Sequence, residues 1–529
     1  MSKRIVVLIL ALMMVICLAA CNQSAIPENT PGATDTTNPT STHETANTTN
    51  LENKTDPVEL NVATYMFPNT LDTLTEDFIA NFNIVYNHVY DRLVEFDIGT
   101  NEWLPAVAKS WEQVDETTWN FVINLDYKFS NGNQLTMDDV VYSIMRIKDV
   151  PKQAGTGGLI ESVTYEGNTL KLVVTDNAVY TPSRILSTAV IVNQSYVESG
   201  GEDALNSKPV GTGPYIVTEF TPGTSATLEL WDGYPFTKPQ IDKINYLYIF
   251  ERGPRYIALE TGLVDIVDDM SSYEMDMAKE DGFSTSMTEL RQVYTFWINC
   301  SRQPFDNVNI RRALAYAFNR EGFCALEGGR LPETGMLFVG YDDLEHMSGN
   351  LPEFDLEKAR ELLEAEGYNE SNPLRVEIKP INRSDPGVEM FQFDLLTVGI
   401  DLVINVREFS AWLADMLAGE FDMIFVPYPN KYDHAINDVN RVDVNQIPAN
   451  NETRYYNERA QELADAIRVE TDQQKLKQMA VELQDLIGWE VPYIPIYRIV
   501  MNYAMDSGLS GVRIDRLGIT SFHRATFQR

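Results

Sequence analysis

The 529-residue chain is poor in cysteine, in histidine and in basic residues, and each shortage closes off a class of function. Four cysteines are present. Cys17 and Cys21 lie in and at the end of an N-terminal apolar run, so Cys300 and Cys324 remain for the folded body. That is too few for a disulfide framework, and no pair has a zinc-ligand spacing. One bridge or two free buried thiols both fit, and the lack of a framework favours the thiols. Five histidines, His43, His88, His346, His434 and His523, are scattered singly. There is no phosphate-binding loop and no nucleophile elbow. The adjacent acids Asp138-Asp139 and Asp268-Asp269 read as solvated or helix-capping groups. No catalytic constellation stands out and no cofactor or metal is expected, which points to a binder rather than a catalyst. Lysine and arginine number 41 against 77 aspartates and glutamates, a formal charge of −36. Such a surface repels phosphate backbones, so nucleic acid is not an expected partner.

Three segments follow from composition. Lys3 and Arg4 precede the apolar run Ile5–Ala20, a charged region followed by a core too short to span a membrane. It ends in Leu18-Ala19-Ala20-Cys21, which resembles a bacterial lipobox. That resemblance implies a lipoprotein signal peptide over 1–20 and a Cys21 that becomes the lipidated N-terminus, with acyl chains holding the protein to a membrane. Residues 21–57 are dense in Thr, Asn and Pro, and Asn22–Asp56 has no aromatic residue, so this stretch cannot bury enough surface to fold and reads as a disordered tether. Such a tether suits the outer face of a single-membrane, Gram-positive-type cell better than a periplasm.

The body begins with alternating residues at Val58–Tyr65, a strand. Ile79–Leu93 carries apolar residues at helical spacing. Trp119–Leu125 and Thr169–Thr175 alternate as strands, and Ala189–Asn193 reads as a further short one. Thr136 with Asp139 three residues on marks the start of a helix. Gly155–Gly158 reads as a loop. The run Lys208–Phe220, KPVGTGPYIVTEF, combines a rigid turn with a strand; Gly211 and Gly213 can take φ > 0 and two prolines fix φ nearby. Thr227–Leu230 reads as its hairpin partner. Val293–Cys300 is an apolar run of strand length, and Ile310, Ala313, Leu314, Ala317 and Phe318 share one helical face. Two helices, about 452–470 and 472–489, precede Val491–Tyr497.

Read in order, these blocks carry a family likeness. WLPAVAKSW at 103–111, the run from Lys208 through Asp265-Ile266, PFDNVNIRRALAYAFNRE at 304–321, FDLEKARELLEAEGY at 354–368, VGIDLVI at 398–404, GEFDM at 419–423 and VPYIPIY at 491–497 together resemble the extracellular solute-binding proteins of family 5, the dipeptide/oligopeptide ABC-importer lipoproteins. The resemblance spans about residues 58–520. It implies an α/β fold of two lobes, periplasmic-binding-protein-like of type II, with a hinge between the lobes. Lobe one is expected over 58–292 with an inserted subdomain at about 97–207, lobe two over 293–494, and a return to lobe one over 495–529. A solute is captured between the lobes and delivered to ABC permease subunits with their ATPase subunits; the chain acts as a monomer and breaks no bonds.

The likeness also implies where the solute sits. In peptide-binding members an aspartate shortly after the GEFDM-type strand pairs with the peptide amino terminus. Counting without a gap, that position falls on Lys431, with Asp433 two residues further. A cation at Lys431 would repel an ammonium group, which leaves open a blocked or modified peptide, an anionic solute or an oligosaccharide. Arg383 is a candidate carboxylate clamp, because guanidinium binds carboxylate bidentately. Tyr65, Trp297, Asn299, Tyr428, Tyr432 and Tyr497 are expected to flank the cleft. An alternative of another class, a surface hydrolase or sensor on the same fold, would need a paired-acid or nucleophile site.

Overall fold

Two strands, Ser284–Ile298 and Tyr493–Met505, run antiparallel through the whole body, and the other layers are arranged on them. The computed structural model describes residues 57–75, 82–97, 102–176, 181–200, 203–326, 330–335, 337, 350–381, 385–429 and 435–528. The expected signal peptide and all but the last residue of the expected tether lie outside these residues. The crossing strand Ser284–Ile298 is rich in Thr, Val, Tyr, Phe and Trp, residues that suit a pleated, half-buried surface. Its ladder with the return strand is interrupted between Glu289 and Val293. Below the interruption Ser284–Glu289 pair with Val500–Met505; above it Val293–Trp297 pair with Tyr493–Arg498.

Each half of this ribbon carries its own sheet. The strand order is 400–404, 374–380, 423–429, crossing strand, return strand, 266–267, 59–64, 243–248, 225–230, 215–221, with Leu331–Pro332 pairing the return strand off this path to complete eleven strands. In the first lobe Glu59–Thr64 lies parallel to Lys243–Tyr248 and to Ile266–Val267. In the second, Leu374–Pro380 lies parallel to Ile400–Ile404 and to Met423–Pro429. Successive side chains of a strand point to opposite faces. Phe296 therefore packs into one apolar layer with Phe323, Phe391 and Ile494, and Trp297 into the other with Ile424, Leu483 and Tyr493. The lobes thus form a two-lobed α/β body in which the second lobe is one stretch of sequence and the first is built from two, before and after it. The expected boundary at 292/293 falls inside the crossing strand. The one at 494/495 falls inside the return strand, whose change of lobe comes nearer Ile499.

The inserted subdomain is a four-stranded antiparallel sheet, in the order 108–113, 118–123, 169–174, 160–166, covered by the helix Met137–Asp149. Thr136 and Asp139 form a reciprocal capping box at the start of that helix. Near its end Arg146 makes a forked ion pair with Asp72; both are buried, and the pair ties the subdomain to the loop after the first strand.

Several expectations fail for identifiable reasons. Ile79–Leu93 is not a long helix; only a π-helical turn, Phe82–Tyr86, forms in its described part. The carbonyls of His88, Val89 and Asp91 accept from Tyr215, Gly213 and Ile191, so they are not available to a helix. Gly155–Gly157 lie in a short helix, Ala154–Gly157, and Gly158 in the turn after it. Ala189–Asn193 makes one isolated bridge, Arg92 with Val190, rather than a strand. The first late helix begins at Glu458, not 452, because Asn457 caps it by accepting the Ala460 N–H at 3.1 Å. The favoured expectation for the cysteines holds: Cys300 and Cys324 are free thiols, Cys324 buried and Cys300 half-buried.

Gly211 and Gly213 have a different use from the one expected. Neither has a positive φ. A Cβ at Gly211 would stand 2.0 Å from the Val89 carbonyl oxygen, and one at Gly213 would stand 2.5 Å from that of His88. The motif lets two backbones touch. Gly211→Ala is therefore expected to cost about 1–3 kcal/mol of unfolding free energy, since backbone has to move. Gly253→Ala, on the helix Arg252–Glu260 with nothing within 4 Å of where a Cβ would stand, is expected to be neutral or to gain up to about 1 kcal/mol. Equal denaturation midpoints for the two variants would refute the close-approach account.

Candidate functional site

Both lobes aim the ends of their parallel strands at the interruption in the ribbon. In the first lobe Glu59–Thr64 and Ile266–Val267 finish beside the return strand, Val267 opposite Ala504, so that Tyr65 and Asp268 emerge toward the break. In the second lobe Met423–Pro429 finishes with Pro429 opposite Gln292, inside the break. Ligands of open α/β sheets bind beyond the carboxyl ends of such strands.

The first-lobe side is a fixed lattice of charge. Asp268 is buried; its Oδ1 accepts the Tyr65 N–H at 3.0 Å and its Oδ2 the Thr64 hydroxyl at 2.6 Å. Burial pushes the Asp268 carboxyl up to about 6, against the pull of the Thr64 hydroxyl and the Arg255 guanidinium. Arg255 is wholly buried and donates to the carbonyls of Ile249, Phe250, Asp268 and Asp269 at 2.6–3.2 Å. Arg252 forks onto the Asp269 carboxylate, Nη2 to Oδ1 at 2.9 Å and Nε to Oδ2 at 3.2 Å. Asp269 itself sits at φ 48°, a left-handed conformation held by these bonds. Beyond it Ser271 and Glu274 form a capping box that starts the helix Ser272–Glu280.

A cavity of ≈ 450 Å³, within the range of small-molecule sites, lies against this lattice and the return strand. First-lobe residues Arg252, Met270 and Met275 face second-lobe residues Arg330 and Leu331 across it. Arg330 is half-buried, with its guanidinium 5.7 Å from the ring centre of Tyr497. Among the described residues nothing hydrogen-bonds or ion-pairs with that guanidinium, whereas Arg252 is bound to Asp269 and Arg498 to Glu289 and Glu333. Tyr294 stacks between Tyr497 and Phe425, with ring centres at 4.8 and 5.2 Å. The Tyr65 phenol is held well above its ordinary pKa by burial first, then by the charges of Asp268 and Asp269 and by Tyr294, so it stays neutral.

Of the residues expected from the sequence, Tyr65 is in this lattice. Trp297 is not a cleft residue: it is 3% exposed in the apolar layer under the late helices, with Arg441 5.4 Å from its ring. Asn299 is not one either. Its amide donates to the carbonyls of Gly419 and Phe421 and its oxygen accepts from Ser301, so it is a buried clamp between two turns. Tyr497 is buried behind Arg330, whose guanidinium lies 5.7 Å from its ring centre, and does not line the cavity. Tyr428 lies on the strand Met423–Pro429 opposite Val293. Arg383, Lys431, Tyr432, Asp433 and Cys21 lie outside the described residues. Sequence reasoning missed Arg330, Arg252, Tyr294 and the burial of Asp268, which it took for solvated or capping. The only hint was local: Asp268 follows an apolar strand end, Val264-Asp265-Ile266-Val267.

Comparison with known proteins gives this geometry a family. The family model for bacterial extracellular solute-binding proteins, family 5 Middle, matches residues 102–448. The dipeptide-binding protein of Escherichia coli (strain K12) is 26% identical over 378 residues, 64% of this chain and 70% of that protein. The oligopeptide-binding protein OppA of Bacillus subtilis (strain 168) is 23% identical over the full length of both chains. Among solved structures, NikA from Brucella suis in complex with Fe(III)-EDTA superposes with a TM-score of 0.78 at 20% identity, covering 89% of this chain and all of that one. With its fold and the greater part of its length matched, this chain belongs to the bacterial extracellular solute-binding proteins of family 5, which bind solutes for transport and are not enzymes.

Proposed function

We propose that this chain is the capture component of an ABC importer that takes a peptide or peptide-like solute between its lobes. The observation that carries this reading is the ≈ 450 Å³ interlobe cavity with the unmatched Arg330 on one wall and a rigid charged lattice on the other. A guanidinium that has, among the described residues, its ring contact but no anion is ready for a carboxylate. The peptide-binding relatives support the solute class. The ribbon supports the mechanism, since two lobes sharing only a pair of interrupted strands can close by a hinge as solute shifts the open–closed balance. The closed form then docks on permease subunits, whose ATPase partners drive import. Cys21 is the lipidated N-terminus, holding a monomeric protein at the outer face of the cell membrane by a tether.

A second reading, a solute without a free amine, is favoured by one sequence feature. Lys431 stands where the family's peptide-binding members carry the aspartate for the amino terminus, and a cation there disfavours an ammonium group.

Three outcomes are expected. In calorimetric titration of the purified protein against peptide and oligosaccharide panels, a peptide binds, and Arg330→Gln weakens peptides with a free carboxylate about ten- to a hundredfold, as one charge-assisted hydrogen bond commands. Their C-terminal amides are unaffected by the change; binding of sugars alone would refute the peptide reading. Lys431→Asp shifts preference toward free-amine peptides over N-acetylated ones, and an unchanged preference means that Lys431 does not meet the solute terminus. Cys21→Ser moves the protein from the membrane fraction to the soluble fraction of cells, and unaltered membrane association would exclude a lipid anchor at Cys21.

A further inference from the structure

The interlobe cavity presents more than a guanidinium. Three apolar side chains line it and, among the described residues, belong to no apolar core: Met287 on the crossing strand, Val500 on the return strand and Leu331 on the short second-lobe strand. Met287 is 60% exposed and Leu331 46%, while Val500 is half-buried. Leu331 pairs with Arg498 and Met287 with Asn502, and Val500 stands midway between those two partners. Residues paired across a ladder share a face, and so do alternate residues of one strand. All three side chains therefore rise from the same face of the sheet. Leu331 and Met287 lie on opposite edges of the return strand, roughly 13 Å apart along it, so neither covers the other.

The larger polar groups around them already have partners. Asn502 Nδ2 donates to the Met270 carbonyl at 2.9 Å, and the Ser271 hydroxyl to Glu274 at 2.7 Å. Lys279 pairs with Asp276 at 3.3 Å and Arg252 with Asp269 at 2.9 Å. Of the charged residues lining the cavity, Arg330 is then the one with no ion pair among the described residues. What the wall still offers a solute is one guanidinium and an uncovered apolar surface beside it. A polar side chain laid on that surface loses water and gains no bond, whereas an apolar one gains by leaving water. Met270 and Met275, both almost wholly buried, back the surface from the first lobe. Methionine is unbranched and polarizable, so such a wall fits side chains of different shape.

We propose that the carboxyl-terminal residue of the solute carries a large apolar side chain, which lies over Val500 between Leu331 and Met287 while its carboxylate meets Arg330. This preference rests on the capture of a peptide between the lobes, proposed above, and narrows it to one class of peptide. Leucine, methionine and phenylalanine fill the space. Glycine leaves it open, and aspartate or lysine takes a charge out of water with no partner to meet it. Because Leu331 belongs to the second lobe and Met287 to the first, this side chain is a part of the solute that both lobes hold.

Isothermal titration of the purified protein with Ala-Ala-Leu and Ala-Ala-Gly, each with a free and with an acetylated amino terminus, tests this. The leucine peptide is expected to bind about ten- to two-hundredfold more tightly than the glycine peptide, the range that even one methylene commands in an apolar pocket. Met287→Gln and Leu331→Gln, both at exposed positions, are each expected to narrow that ratio about threefold or more, through the loss of apolar contact. Arg330→Gln weakens both peptides alike and keeps the ratio. Crystals grown with Ala-Ala-Leu are expected to show the leucine side chain over Val500, an observation that needs neither variant to fold. Equal affinity of the parent protein for the two peptides, a ratio indifferent to both glutamine variants, or a leucine side chain directed away from Val500 overturns the apolar subsite and leaves peptide capture standing. Failure of all four peptides to bind removes peptide capture, and the subsite with it.

Discussion

The body depends on one ribbon of two antiparallel strands whose hydrogen-bonded ladder lapses for a few residues at its middle. Backbone N–H and C=O groups removed from water need partners, and a lapse inside a buried sheet has to be made good. Leu290, Arg291 and Gln292 are all buried there, and the Arg291 N–H finds the Arg516 carbonyl at 2.9 Å in place of the missing strand neighbour. The C-terminal segment therefore mends the gap from the side. The ladder resumes on either side of this gap, with one further register shift between Tyr294 and Thr295, so each lobe keeps its own share of the ribbon. The ends of both lobes' parallel strands lie at the same level as the interruption.

The charged groups near the cleft divide into those that build it and those left to act. Arg255 is surrounded mainly by main-chain oxygens, and through them it fixes the turn after Tyr248 to the turn at Asp268-Asp269. Replacing it by an apolar side chain would orphan four carbonyls at once. Arg252, Arg498 and Asp268 are likewise held by neighbours. Against that background Arg330, half-buried and with only a ring contact among the described residues, stands apart.

Much of the architecture was legible in the residues, and the failures have physical causes. Thr136 with Asp139, the apolar face from Ile310 to Phe318, and Asp355 before Leu356–Ala365 are local signals, and each specifies its helix without help from afar. The hairpin Tyr215–Thr221 with Ser225–Leu230 is local too. Ile79–Leu93 misled because its helical spacing is real, while its carbonyls are claimed by segments far along the chain. Gly211 and Gly213 were rightly singled out, but for turning rather than for contact with His88 and Val89, a neighbour that no local reading supplies. The site was less legible. Trp297 and Asn299 lie at the end of the crossing strand remote from the interruption, beside Met423 and Ile424, where packing and the turn at Gly419–Phe421 bury both. Arg330 carries no local signal at all; only its position opposite Arg252 and Met270 gives it meaning.

The sheet order has a bearing on how such a polypeptide comes into being. Lys243 follows its parallel partner Glu59 by 184 positions, and the strand beside Ile266–Val267 arrives only with Ala504 and Met505. A nascent chain therefore cannot finish its first lobe before Ala504 and Met505 have been made, whatever the second lobe has done meanwhile. Contacts this distant in sequence slow folding, because loop closure is costly before they form. Until then the early strand keeps an open edge, and its company during synthesis is whatever holds an unfinished polypeptide apart from its neighbours.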